Sequence, residues 1–492
     1  MTATSATILA IDAGTTGIHA LAFDEQLCPV AEAYEEFPQH FPFPGGVEHD
    51  ASEILAAVDR VVEQVIAAVG TPATIGITNQ RETVFPIDVE TGAALSRGIV
   101  WQDRRTAGRC EELREAGHEE LVRQRTGLVL DPYFSATKME WMLREDVAVQ
   151  AAARKGSLRF MTVDALIISH LTGGARVATD PTNASRTMLF DIERRDYCDE
   201  MLDLFGLDRS MLAEVESSAG DFGSAQIRGV EVPIRGVLGD QQAALFGQGC
   251  WDAGAAKVTY GTGCFLLLNT GQRRAHSSAG LLTTLCADGT GAPCFALEGS
   301  AFAGGSVVQW LRDGLGVIKE ASESSSVATS VEDTGGVFLV PAFAGLGAPH
   351  WDPGARAAIL GMTRGTTSAH IVRAGLDAIA FQCADLVNAL RSDSELPLER
   401  LLVDGGAAAN DFLMQRQADL AGALIERSSE LQTTARGAAA IAGIGAGLFT
   451  DLTEAEGLRR GQEIFTASLD AEQRGSEMRA WSAAVGRVLS RP

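Results

Sequence analysis

Ile8-Leu9-Ala10-Ile11-Asp12-Ala13-Gly14-Thr15-Thr16-Gly17 is an apolar strand that runs into a tight glycine-threonine turn. Lys257-Val258-Thr259-Tyr260-Gly261-Thr262-Gly263-Cys264-Phe265-Leu266 repeats the device in the second half of the chain. A further apolar strand follows each turn, Ile18 to Phe23 in one copy and Phe265 to Leu268 in the other. Glycine permits such turns and lets backbone N–H groups come close to a ligand, and threonine adds a hydroxyl. A lone Gly-Thr-Gly turn is most often only a turn. Two at matching places, one following an aspartate, imply a duplicated domain, a central cleft and phosphoryl chemistry.

The 492 residues are too many for one ordinary core, so two large domains are expected. The halves are placed at residues 1–245 and 246–492, with a broad shared interface, because no Pro/Ser-rich linker separates them. A net charge of -24 argues against a nucleic-acid partner, so a phosphate ligand needs a local set of donors. The eight cysteines are scattered from Cys28 to Cys383 without CxxC spacing, which fits reduced thiols in a cytoplasm rather than zinc or a redox dithiol. No signal peptide fits the Met-Thr-Ala-Thr-Ser start. The apolar run Gly437 to Phe449 is too short to span a bilayer and reads as a buried helix, so no membrane insertion is expected.

Elsewhere, Asp50-Ala51-Ser52-Glu53 resembles a capping box that opens an amphipathic helix ending at Gly70. A buried strand, Ala73 to Thr78, leads straight into Asn79-Gln80-Arg81-Glu82, and a hairpin follows with its turn at Glu90-Thr91-Gly92. Helices are expected to dominate from Thr106 to about Leu171. A strand Ile234 to Leu238 ends in Gly239-Asp240, and a strand Leu401 to Val403 ends in Asp404-Gly405-Gly406 before a helix near Asn410. Hairpins alternating with helices argue a mixed α/β fold with ligands at strand C-terminal ends.

Several residues suit phosphoryl chemistry, each with a plainer alternative. Asp12 ends a strand before the turn and can hold Mg²⁺, or can cap the turn. Asp240 stands at a helix start whose dipole favours its ionised form; it can serve as a base or as an N-cap. Arg81-Glu82 offers a donor and an acceptor with little net charge, which suits a neutral polyol as well as a structural ion pair. Trp101 and Phe265 are candidate apolar walls, or simply core. Gly405-Gly406 puts bare backbone beside a helix N-terminus, a plausible phosphate contact.

Together these segments resemble the FGGY carbohydrate kinase family nearly end to end. The stretches that carry the likeness are Gly76 to Thr83, Trp101 to Arg105, Asp131 to Ser135, Lys138 to Trp141, Asp180 to Phe190, Gly239 to Gln248, Thr259 to Phe265, Gly345 to Pro353 and Val403 to Asn410. The resemblance implies two actin-like (ribonuclease H-like) domains flanking a central nucleotide cleft. It implies transfer of phosphate from MgATP to a primary hydroxyl of glycerol, giving sn-glycerol 3-phosphate. It assigns glycerol to Arg81, Glu82, Tyr133, Asp240 and Gln241, with Trp101 and Phe265 as the wall. Asp240 would be the base, and Asp12, with Asp240, would position Mg²⁺. Thr15 and Thr16 would meet the γ-phosphate and Thr262 the β-phosphate, while Gly17, Gly305, Gln309, Gly406 and Asn410 complete the ATP site. Relatives form dimers and tetramers, so a homodimer or homotetramer is implied.

Two departures stand out. His19 stands where the family commonly has a phosphate-contacting Arg, which implies weaker nucleotide binding. Members inhibited by fructose 1,6-bisphosphate carry a Gly-rich basic loop before the catalytic Asp. Here the segment is the shorter Ile227-Arg228-Gly229-Val230-Glu231-Val232-Pro233, so no such inhibition is expected. Gly220 to Asp240 contains no histidine, so control by histidine phosphorylation is not expected either. The rival readings are a family member acting on a tetritol or pentose, and a non-enzymatic nucleotide-gated binding module.

Overall fold

The computed structural model describes residues 7–428, 432–449, 452 and 462–490. Contacts divide the chain into two α/β units. Unit 1 comprises Met1–Trp251, Thr283–Phe295 and Thr433–Leu458; unit 2 comprises Asp252–Leu282, Ala296–Gln432 and Arg459–Pro492. The chain first leaves unit 1 at Trp251, close to the expected junction near 245, but it returns to that unit twice.

In unit 1 the strands Ile8–Ala13 and Gly17–Phe23 pair antiparallel across the first turn, and Pro29–Glu36 extends that meander. Thr74–Asn79 lies parallel to Ile8–Ala13 on its other side. Val230–Gly239 follows parallel to Thr74–Asn79, and Ser224–Ile227 closes the edge antiparallel. Unit 2 repeats the order. Ala256–Tyr260 pairs antiparallel with Cys264–Gly271 and parallel with Arg400–Asp404; then come parallel Leu424–Ser428 and antiparallel Gln462–Phe465. A shared strand order in two units is the structural form of the duplication. In both, parallel strands deliver their C-terminal ends to one edge, where the candidate residues lie.

The helix Ala51–Val69 forms as its spacing requires. Ile54, Val58, Val61, Val62, Val65 and Ile66 are buried on one face against the unit 1 sheet, and Gly70 ends it at φ 84°. Its cap is simpler than expected. Asp50 accepts from the Ser52 backbone N–H, but Glu53 turns away to His40, 2.9 Å distant. The expected helical run after Thr106 is interrupted by the strand Leu158–Thr162, which pairs antiparallel with Val84–Asp88. Five residues flanked by helices are too few for periodicity to separate strand from helix.

The Gly/Ala-rich run is the buried helix Thr433–Gly445, and it belongs to unit 1. It touches other backbone directly. A Cβ on Gly437 would stand 1.9 Å from the Ala243 carbonyl oxygen, and one on Gly76 would stand 2.1 Å from the Ala438 carbonyl oxygen. Only glycine allows that approach. This seats the helix Asp240–Gly247, and so its first residue, against a fixed support.

Candidate active site

Asp240 is the first residue of the helix Asp240–Gly247, immediately after the strand Val230–Gly239. Its Oδ1 lies 3.2 Å from Arg81 Nε, and its side chain keeps 31% of its surface open where the Arg81 guanidinium keeps 1%. The carboxylate is thus held from behind and open in front. Arg81 also reaches Glu82 at 3.8 Å and donates from Nη1 to Gln242 Oε1 at 3.1 Å. Arg81 and Glu82 do form an ion pair, but Arg81's shorter contact is with Asp240. Glu82 instead receives Nε of Arg186 at 2.6 Å. The Gln241 backbone N–H donates to Asp240 Oδ1 at 2.7 Å.

Trp101 and Tyr133 meet edge to face with centroids 5.6 Å apart, so Tyr133 joins Trp101 as a candidate for the apolar wall. The Trp101 indole N–H donates to Thr15 Oγ1 at 3.0 Å, which ties the wall to the first glycine-threonine turn. Lys138 holds the Tyr133 loop from beneath. Its ammonium donates to the carbonyls of Pro132, Tyr133 and Phe134, and burial pulls its pKa down to about 8.

The turn itself is clamped. Gln39 Nε2 donates to the Thr15 carbonyl at 2.8 Å and Gln80 Nε2 to the Gly14 carbonyl at 3.0 Å. Buried His49 bridges the two glutamines, 2.6 Å from Gln39 Oε1 and 3.4 Å from Gln80 Nε2. Burial, with His40 nearby, pushes the His49 pKa down to about 4, so the ring is neutral, with Nε2 donating to Gln39. Neither Gly14 nor Gly17 needs a positive φ. Tyr34 reaches Gly17 from the neighbouring strand, and a Cβ there would stand 2.5 Å from its hydroxyl, the far end of an exposed side chain. Thr16 is exposed at the tip. His19 stands opposite Asp12 in the strand pair, and its Nε2 lies 3.2 Å from Glu32.

Asp12 keeps some surface open, yet the protein around it withholds water from its carboxyl. That burial, with the Asp240 charge nearby, pushes the Asp12 pKa up to about 7. A carboxyl whose charge is disfavoured by burial and by a second carboxylate suits a divalent cation, which would relieve it. No group of three or more His, Cys, Asp or Glu side chains that could hold a metal ion exists among the described residues. Mg²⁺ does not need one, because it keeps most of its water and binds through one or two carboxylates plus phosphate.

In unit 2, Thr262, Gly305, Gln309, Gly406 and Asn410 all line one cavity of ≈ 680 Å³. The Thr262 carbonyl accepts from the backbone N–H groups of Gly304 and Ser306. A Cβ on Gly305 would stand 2.9 Å from the Gly261 carbonyl oxygen, whereas one on Gly406 would meet nothing within 4 Å and would only fill the cavity. The Asn410 amide is committed to structure. Its Oδ1 caps the helix Asp411–Ala421 and its Nδ2 donates to Ser324 Oγ at 3.0 Å. Phe265 lies in this unit, on the strand Cys264–Gly271.

A profile described as "FGGY family of carbohydrate kinases, N-terminal domain" matches residues 7–247, and its C-terminal counterpart matches residues 256–446. The chain belongs to the FGGY family of carbohydrate kinases. Within that family it is 49% identical to the glycerol kinase of Rhodopirellula baltica, over 98% of this chain and 90% of the relative. It is also 49% identical to glycerol kinase 2 of Thermotoga maritima, over 98% of each chain. Among solved structures it superposes on Plasmodium falciparum glycerol kinase with ADP at a TM-score of 0.91, with 36% identity and 99% of each chain covered.

This FGGY chain also holds residues that the sequence reading passed over. Arg186 and Gln242 both lie inside quoted motifs, but nothing in their spacing says that they meet Glu82 and Arg81. The signal available was the Arg alone, a cation in the otherwise uncharged run Pro181 to Phe190. Arg312, Ser322 and Ser324 line the cavity from a segment that no motif covers. No helix among the described residues is long and apolar enough to cross a membrane.

Proposed function

We propose that this chain phosphorylates glycerol from ATP, giving sn-glycerol 3-phosphate and ADP. The observation that carries the reading is the Asp240 carboxylate, one face braced by Arg81 at 3.2 Å and the other open, beside Glu82 and the Trp101–Tyr133 wall. Glu82, Arg81 and Gln241 offer acceptors and donors to a neutral triol. The two rings are assigned to its carbon chain. The primary hydroxyl oxygen attacks the γ-phosphorus, the bond to the β,γ-bridging oxygen breaks, and the hydroxyl proton passes to Asp240. A carboxylate suffices as base because the transition state is loose and the proton moves late.

Thr15 and Thr16 are assigned the γ-phosphate, and Gly17 and His19 the neighbouring phosphate contacts. The Thr15 hydroxyl already accepts from Trp101, so its proton is the group it offers. Thr262 is assigned the β-phosphate, and Gly305, Gln309, Gly406 and Asn410 the remainder of the nucleotide. Phe265 is assigned to the glycerol wall. Mg²⁺ is assigned to Asp12 with Asp240 beside it; when bound it neutralises charge on the phosphates. The enzyme is read as cytoplasmic and as a homodimer or homotetramer.

The test is coupled ADP release with MgATP and a panel of glycerol, erythritol, xylulose and gluconate, run with Asp240→Asn. Glycerol is expected to be the preferred acceptor. Asp240→Asn should lose roughly 10²–10⁴-fold in kcat while melting like the wild type. Preference for a longer polyol would overturn the substrate. Turnover of ATP without any acceptor would overturn the kinase reading.

A further inference from the structure

Arg186 is fully buried, with 0% of its surface exposed, so it reaches no ligand in solvent. It nonetheless touches two residues of the substrate site. Its Nε donates to Glu82 Oε1 at 2.6 Å. Its guanidinium carbon lies 5.5 Å from the Tyr133 ring centroid and 5.2 Å from that of Phe134. The segment that carries it makes further contacts of the same kind. Asn79 Nδ2 donates to Asn183 Oδ1 at 2.9 Å, and the Gly239 N–H, one residue before Asp240, donates to Thr182 Oγ1 at 2.9 Å.

We infer that Arg186 is a positioning residue for the polyol site, fixing the Glu82 carboxylate and the Tyr133 ring as one rigid piece. The inference deepens the reading of Glu82 and Tyr133 as glycerol contacts and rests on it. The charges alternate in order: Arg186, Glu82, Arg81, Asp240. Glu82 lies 2.6 Å from Arg186 and 3.8 Å from Arg81, while Arg81 lies 3.2 Å from Asp240. Arg186 therefore satisfies Glu82 and leaves Arg81 to the base. Without the guanidinium, Glu82 draws Arg81 away from Asp240, and the Tyr133 ring loses the cation beneath it. Glu82 also sits at φ 65°, a conformation that a non-glycine residue holds only when its surroundings fix it. A lysine keeps the charge but neither the planar fork nor the stacking, so it should not replace Arg186.

The experiment compares the wild type, Arg186→Lys, Arg186→Met, Glu82→Gln and the Arg186→Lys/Glu82→Gln double variant by KM for glycerol, KM for ATP, kcat and thermal melting. Arg186→Lys should raise KM for glycerol roughly 10- to 100-fold and leave KM for ATP nearly unchanged. The double variant should be no worse than Glu82→Gln alone, because the two residues act as a unit. If Arg186→Met does not fold, Arg186→Lys decides. A lowered melting point with unchanged KM for glycerol makes Arg186 merely structural and overturns the inference while the function stands. A wild type without glycerol turnover overturns the function and the inference with it.

Discussion

Replacing Gly437 by alanine tests the support under the helix Asp240–Gly247. The added Cβ would stand 1.9 Å from the Ala243 carbonyl oxygen, 2.7 Å from its carbon and 3.0 Å from Gly247 N. All three are backbone atoms, so no side chain can swing aside. To restore ordinary contact the two helices must part by roughly 1.5 Å, and overpacking of this kind costs about 1–3 kcal/mol or more. Alanine repays about 1 kcal/mol through its helix propensity. Because backbone cannot yield, the cost lies at the upper end, about 3 kcal/mol; the steric term wins, and the net loss of about 2 kcal/mol corresponds to a Tm lower by about 4–8 °C. Gly475→Ala is the control, in the helix Ala471–Val485. There the Cβ meets only the far end of the Arg479 side chain, at 3.2 Å. Propensity should dominate at that position and Tm should rise. Circular dichroism melts read both variants, and kcat should fall in Gly437→Ala because the displaced helix begins at Asp240. A Gly437→Ala protein melting at or above the wild type would refute the reasoning.

Three further outcomes are expected. Trp101→Phe keeps a ring against Tyr133 but loses the bond to Thr15, so KM for ATP should rise about 5- to 10-fold and KM for glycerol much less; the reverse pattern would separate the wall from the turn. The folded His49 pKa of about 4 lies below its ordinary 6.5, so the unfolded chain takes up the proton first. Stability is then complete above pH 6.5 and declines as pH falls toward 4, by up to about 3 kcal/mol, and His49→Gln should flatten that slope in denaturant titrations. Fructose 1,6-bisphosphate should not inhibit. The segment before Asp240 is a two-residue hairpin turn, Arg228 at φ 50° and Gly229 at φ 79°, with Arg228 paired to Glu63 at 2.6 Å; a concentration-dependent loss of activity would contradict this.

What the sequence could reveal was local. The paired turns, the amphipathic helix ending at Gly70, and the Gly/Ala run as a buried helix all follow from spacing within a few residues. Asp240 at a strand end and helix start was visible for the same reason. What stayed hidden depends on partners far along the chain. Glu82 and Arg186 are 104 positions apart, and Arg81 and Gln242 are 161 apart. No pattern in either segment announces the pairing. The glycines of the turns were foreseen, but not that Tyr34 reaches Gly17 from the next strand. Leu158–Thr162 was missed because its strand character comes from pairing with Val84–Asp88, not from its own short run.

The return of Thr433–Gly445 to unit 1 bears on how this chain is made. A ribosome completes the helix Asp240–Gly247 long before it reaches the helix that supports it. At about 5–20 residues per second the gap lasts roughly 10 to 40 s. Throughout that interval Gly76, Gly236 and Gly247 present bare backbone that only the late helix covers. A fragment ending near the Trp251 crossing would retain Asp240 without the surface that seats its helix.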